Sequence, residues 1–247
     1  MNTVRVIAGR PYRVRVSPST HPMDIVPTAT VARQRRPSYT HFLSLPMDHG
    51  DERWMERLRA FQDAVLQLQL PDIQRHLFSK PGALHLTLGM LSLTSTDDIQ
   101  KASRCLEQLS GQIYNQLETR SLLVRLRGLD VIVGSPDRCH VLYAKIELLD
   151  DRLMRVLDTL HTRFRQEGLL DEDQTTRSLK LHCTLMRTKG DYGDAKNQPF
   201  DARPILKAFG DFDFGLCRLP QVQLCIRRTA GQGIQGAYKY AVSISLP

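Results

Sequence analysis

The chain is 247 residues long, with 41% apolar and 6% aromatic residues and a formal net charge of +8 at pH 7. That length buries a full core, as one large domain or two intimate lobes, and the apolar fraction, on the low side for a globular protein, does not indicate disorder. The positive balance suits an anionic partner; an ordinary basic, soluble surface is the other reading of it.

Residues 1–36 form a basic arm. They carry Arg5, Arg10, Arg13, Arg15, Arg33, Arg35 and Arg36 against one acid, Asp24. Pro11, Pro18, Pro22 and Pro27 break any long element, leaving room for a short alternating strand at Tyr12–Val16. The segment reads as a flexible, solvated arm in preference to a dedicated nucleic-acid-binding element.

The rest, residues 37–247, follows one pattern twice. Thr40–Pro46 is a short apolar strand. Glu52–Leu70 has Leu58, Phe61, Val65 and Leu68 at helical spacing and is stopped by Pro71. A strand through His85-Leu86-Thr87-Leu88 comes next. Ser95 and Asp98 form a capping-box pattern that opens a helix with Ile99, Ala102, Leu106, Leu109 and Ile113 on one face. Strands are expected at Leu122–Leu126 and Val141–Leu148. The second copy starts with the latter and continues as a helix from Asp151 to Glu167. Leu153, Val156, Leu160 and Phe164 line that helix, and Gly168 stands at the expected C-cap. After a polar loop comes a strand through His182-Cys183-Thr184-Leu185. The tail holds a helix near Ala202–Phe209 and strands near Phe212–Leu219, Val222–Arg228 and Tyr238–Leu246, the last two joined by the Gly-rich turn Gly231–Gly236.

Side chains alternate faces along a strand, so His85 shares a face with Thr87, and His182 with Thr184. A histidine with a hydroxyl two residues on, occurring twice, suits acid–base chemistry at a phosphate. One imidazole takes a proton, the other gives one, and two hydroxyls hold phosphate oxygens. Lys180 falls on the same face as His182; it reads either as an added substrate-binding charge or as a solvated lysine at a strand start. Arg227 and Arg228 read as an exposed strand end, with a phosphate contact as the alternative. His41, His76, His140 and His161 read as structural. The two motifs lack the spacings of zinc ligands, and neither a Walker loop nor a dinucleotide fingerprint occurs, so no metal and no cofactor is expected. The odd set of cysteines (Cys105, Cys139, Cys183, Cys217, Cys225) has no Cys-x-x-Cys pair and is expected to be reduced and buried. No segment reads as a signal peptide or a membrane span.

These words carry a specific resemblance. Tyr39–Leu45 (YTHFLSL), Leu84–Leu91 (LHLTLGML), Val141–Lys145 (VLYAK), Leu179–Met186 (LKLHCTLM) and Asp201–Phe209 (DARPILKAF) resemble the two-histidine (2H) phosphoesterase superfamily. Within it they are similar to the phosphoesterase domain found in subunit 1 of the activating signal cointegrator complex and in A-kinase anchor proteins. The resemblance implies an α+β fold of two lobes of antiparallel sheet, related by a pseudo-twofold axis, with helices packed outside. It also implies metal-free phosphodiester chemistry on RNA or nucleotides through His85, Thr87, His182 and Thr184. A helicase-containing coactivator complex is the implied partner, and the nucleus, also the cytoplasm, the implied location, in transcription and DNA repair. The cointegrator subunit carries an RNA-binding KH domain before this one. Residues 1–36 are too few for a KH fold and hold no Gly-x-x-Gly clamp, and the Gly233–Gly236 match belongs to a hairpin turn. The sequence is therefore expected to encode a 2H phosphodiesterase. The alternative is an RNA- or nucleotide-binding scaffold subunit with little or no turnover.

Overall fold

The computed structural model describes residues 4–7, 10–13, 39–48, 50–171, 174, 179–188, 198–233 and 236–247. Its two compact units are Met1–Arg36 and Pro37–Pro247. In the first, β1 (Val4–Ile7) and β2 (Arg10–Arg13) pair antiparallel. β2 overlaps the strand expected at Tyr12–Val16 at its first two residues; residues 14–16, and the expected flexibility of the arm, lie outside the described residues.

Among the described residues the second unit has eight strands and five α-helices. The strands are β3 (His41–Pro46), β4 (His85–Leu91), β5 (Leu123–Ser135), β6 (Arg138–Leu148), β7 (His182–Arg187), β8 (Asp213–Arg218), β9 (Gln221–Ile226) and β10 (Tyr240–Ser245). The helices are α1 (Glu52–Gln67), α2 (Thr96–Gln108), α3 (Ser110–Gln116), α4 (Arg152–Gln166) and α5 (Arg203–Phe209). All strands join one antiparallel sheet in the order β10-β9-β3-β4-β7-β6-β5-β8. Its halves, β10-β9-β3-β4 and β7-β6-β5-β8, meet at a short seam where Leu86 pairs with Cys183.

Local signals place most element ends. Asp51 caps α1, its carboxylate accepting from Arg53 N at 3.1 Å. Both halves of the Ser95–Asp98 capping box form at the start of α2. Gly168, at φ +67°, ends α4 in a Schellman arrangement: Leu169 N donates to Phe164 O and Gly168 N to Arg165 O, both at 2.8 Å. Two expectations change. The helix read from Ser95 through Ile113 breaks at Leu109, where Leu109 N turns to Leu106 O and Ser110-Gly111 weakens the run. Leu109 and Ile113 stay buried nonetheless. The strands expected at Leu122–Leu126 and Val141–Leu148 are parts of a longer β5–β6 hairpin. Its glycines hid it: Gly134 sits at φ +89°, and a Cβ there would lie 2.0 Å from Arg138 O.

Each repeated helix packs on the half of the sheet that its own strands do not form. α1 lies between β3 and β4 in sequence, yet Phe61 meets Phe209, Phe212 and Phe214 at ring separations of 5.9, 5.4 and 5.1 Å beside β8. Arg57 Nη1 donates to Asp213 O at 2.9 Å. α4 lies between β6 and β7, yet His161 Nε2 donates to Leu88 O on β4 at 2.6 Å. This exchange ties the halves through one continuous core, so the short seam suffices. Phe61→Ala is expected to destabilise the domain by about 3–5 kcal/mol, read as a lowered denaturation midpoint with an unchanged slope.

Candidate active site

Leu86 and Cys183 are fully buried among the core side chains under the helices. Their neighbours point to the other face of the sheet. One step either way along the Leu86–Cys183 register sets His85 opposite Thr184 and Thr87 opposite His182. Directly opposed side chains have Cβ atoms about 4.5–5.5 Å apart. The four groups therefore form a quartet with twofold symmetry about the seam, each histidine facing the other copy's threonine.

Both rings are held alike. His85 Nδ1 lies 2.7 Å from Ala83 O, and His182 Nδ1 lies 2.7 Å from Lys180 O. A carbonyl only accepts, so Nδ1 carries the proton and Nε2 keeps its lone pair in the neutral ring. The Thr87 hydroxyl sits 3.2 Å from His85 Nε2 and donates to it.

Their surroundings differ. His85 is half-buried, tilted against Phe42 at 5.1 Å and edge-on to Tyr238 at 5.2 Å. Burial pushes its pKa down to about 4; the Ala83 carbonyl opposes this, and the charges of His182 and Arg187 add to it. His182 instead meets the edge of Tyr143 at 5.3 Å. The Tyr143 hydroxyl donates to Asp130 Oδ2 at 2.8 Å, and Lys180 Nζ approaches the same oxygen at 3.3 Å. Burial opposes ionisation of Asp130, yet hydrogen bonds from Tyr143, Val131 N and Lys180 keep its carboxyl below the usual range.

Both motif strands are bulged at equivalent places. The extra residue is Leu88 in β4 and Leu185 in β7, each three residues after its histidine. A bulge strands a backbone group. The Leu88 carbonyl takes its hydrogen bond from His161, and the Leu185 carbonyl from Ser79 N at 2.8 Å. Beyond the bulge the alternation inverts, which turns Met90 and Arg187 onto the histidine face.

A cavity of about 820 Å³ opens on this face. His85, Thr87 and Thr184 line it; His182 stands beside Thr184 on the same strand face but is not part of the wall. Five cations, Arg75, Lys80, Arg187, Arg227 and Arg228, line it as well, and among the described residues no carboxylate does. Six of the chain's eight net positive charges belong to residues 1–36, so the rest of the chain is close to neutral overall, whereas the described part of this wall is purely cationic.

Lys180 sits with Asp130 and Tyr143, apart from the cavity wall. Arg227 and Arg228, read as a strand end, line the cavity, as does His76. His41 and His140 hydrogen-bond Thr40 and Thr188, and His161 holds the bulge. Phe42, Lys80, Arg187 and Tyr238 were not singled out from the sequence; only the repeat offset pairing Met90 with Arg187 carried a signal. All five cysteines are buried and unpaired. No three His, Cys, Asp or Glu side chains gather to hold a metal among the described residues, and no described helix is long and apolar enough to cross a membrane.

Residues 39–246 match the family described as the AKAP7 2′5′ RNA ligase-like domain. Activating signal cointegrator 1 complex subunit 1 of Mus musculus is 33% identical over 218 residues, 79% of this chain and 60% of that protein. The chain thus spans less than two thirds of that relative's length. An uncharacterised protein of Schizosaccharomyces pombe is 25% identical over 171 residues, 69% of this chain and 79% of that protein. Two solved structures share the fold. TT0787 of Thermus thermophilus has a TM-score of 0.51 and 18% identity, covering 83% of this chain and 97% of its own. Escherichia coli LigT in apo form has a TM-score of 0.50 and 16% identity, covering 84% and 97%. With residues 39–246 matched by the family and the fold shared with these structures, the chain belongs to the AKAP7 2′5′ RNA ligase-like family of 2H phosphoesterase domains.

Proposed function

We propose that this chain is a metal-independent phosphodiesterase acting on RNA or nucleotides. The observation that carries the reading is the His–Thr/Thr–His quartet across the seam, three of whose members, His85, Thr87 and Thr184, line a cavity with five cations and, among the described residues, no carboxylate in its wall. His85, neutral at pH 7, takes the proton of the attacking water or 2′-hydroxyl at Nε2. The nucleophile forms the new P–O bond as the old one breaks. His182 gives a proton from Nε2 to the departing oxygen. Thr87 and Thr184 donate to the non-bridging oxygens, and Arg187 adds positive charge where negative charge grows. In the reverse direction the two histidines exchange roles.

A panel of RNA oligomers with 2′,3′-cyclic or ordinary 3′ ends, incubated without added metal and read by mass, tests the reading. Defined cleavage or cyclisation products support it. Tight binding without turnover favours the second reading, a binding subunit. That reading rests on the mouse relative, whose name makes it a complex subunit. Membership of a coactivator complex, and a nuclear site of action, belong to the same proposal.

The role given to His85 also fixes a pH profile. A base must be neutral, so activity is lost as pH falls through its pKa. kcat/KM is expected to stay level well below pH 6.5 and to fall only toward about 4. Bound phosphate favours the imidazolium, so the acidic limb of kcat should lie at higher pH than that of kcat/KM. An acidic limb of kcat/KM near 6.5 would mean that the base is not a ring whose pKa burial lowers, and the limb in His85→Ala would then show whether it belongs to His85.

A further inference from the structure

The cavity is lopsided. It extends from His85 and stops short of His182, so whatever fills it lies on the side of the base. It also carries more charge than one phosphodiester needs. Arg187 lies close enough to act on His85. Lys80, Arg227 and Arg228 come from other segments, and among the described residues no carboxylate shares the wall. Arg75 is set apart, paired with Asp63 at 3.2 Å.

This second group of cations is built into the fold. The Lys80 stem lies across the Gly-rich turn: a Cβ on Gly236 would come within 2.6 Å of Lys80 Cδ, and one on Gly231 within 3.7 Å of Nζ. The turn is closed by Gly231 N to Gly236 O and Gly233 N to Ala237 O, both 2.9 Å. Arg227 is anchored through Nη1 to Tyr39 O at 3.2 Å. Arg228 is held at φ +65°, a conformation that disfavours any residue with a Cβ.

We infer that Lys80, Arg227 and Arg228 form a second phosphate subsite, for the 5′-phosphate of the nucleoside whose 2′-hydroxyl His85 deprotonates. The inference rests on the phosphodiesterase reading and names its substrate class. The nucleophile belongs to the nucleoside on the base's side, and that nucleoside's other phosphate is its 5′ one. The ligand is therefore an oligonucleotide with a phosphate one unit before the scissile bond. Its volume suits the site, since about 820 Å³ lies high in the range of about 300–1,000 Å³ for ligand pockets. The group is either a terminal monoester or the next internal diester.

Deoxydinucleotides lack the 2′-hydroxyl, so they cannot be transesterified, and they report binding once a mass check shows that water leaves them intact. The 5′-phosphorylated form is expected to bind about tenfold more tightly, or better, than the 5′-hydroxyl form. In Lys80→Gln that preference should collapse toward one, while Lys80→Arg keeps it; thermal melts check that each variant is folded. A deoxytrinucleotide with a 5′-hydroxyl separates the sources: an advantage equal to that of the 5′-phosphate means an internal diester serves, and none means a terminal monoester is required. A preference confined to a 3′-phosphate, or for neither end, overturns the subsite. Ribodinucleotide turnover is measured in parallel. If the 5′-phosphate preference is present but no ribonucleotide is cleaved, the phosphodiesterase reading fails and the phosphate subsite stands.

Discussion

His85→Ala and His182→Ala are each expected to lower turnover by roughly 10²–10⁴. The effect is large because each ring moves a proton in the transition state, and neither neighbouring threonine can replace it at neutral pH. The double variant should be little worse than either single one, since a base without its acid gains little, and the converse. EDTA should change nothing, because the proposed proton transfers use imidazoles fixed by Ala83 O and Lys180 O. Removing His85 also leaves a gap beside the packed Phe42–Tyr238 pair, so circular dichroism and a melt must accompany the assay. Full turnover in either folded single variant would sink the acid–base pairing, and inhibition by EDTA would bring a metal back into the mechanism.

The parts of this fold that were legible in the sequence are those written within a few residues. Ser95 and Asp98 reach each other within one turn, and Gly168 closes α4 on carbonyls of its last turn. The two His-x-Thr strands were legible because period-2 alternation needs no knowledge of the partner strand. That rule fails at Leu88 and Leu185, where one extra residue inverts the alternation and brings Arg187 to the histidine face. Nothing in either strand announces the bulge. It depends on His161 and Ser79, from α4 and a loop, being present to take the stranded carbonyls. The exchange of α1 and α4 between half-sheets was hidden for the same reason: Phe61 reads as a core residue whichever sheet it meets. Alternation sets Lys180 on the face of His182, but the sequence does not show that β7 begins only at His182 or that Asp130 arrives from β5 to engage the lysine. The cavity wall was least legible of all. Lys80, Arg227 and Tyr238 come from separate segments, and the Gly231–Gly236 turn that supports Lys80 looks like ordinary hairpin chemistry when read alone.

Thr87→Val and Thr184→Val are expected to lower kcat by about 10²–10³ each, the cost of removing one donor from a developing oxyanion. Valine keeps the branched shape that packs on the strand, so the lost group is the hydroxyl alone. Serine restores the donor without the methyl, and Thr87→Ser and Thr184→Ser should therefore keep most of the activity. The two threonines part company in one respect. Thr87 donates to His85 Nε2 at 3.2 Å in the free enzyme and so favours the neutral ring, whereas Thr184 reaches the site from across the seam. Thr87→Val should therefore also move the acidic limb of kcat/KM upward, and Thr184→Val should leave that limb where it is. A pH–rate profile of all four variants separates the two roles. Valine variants as active as the serine ones would mean that neither hydroxyl holds the phosphate. Its growing charge would then fall to Arg187, on the same face beyond the second bulge.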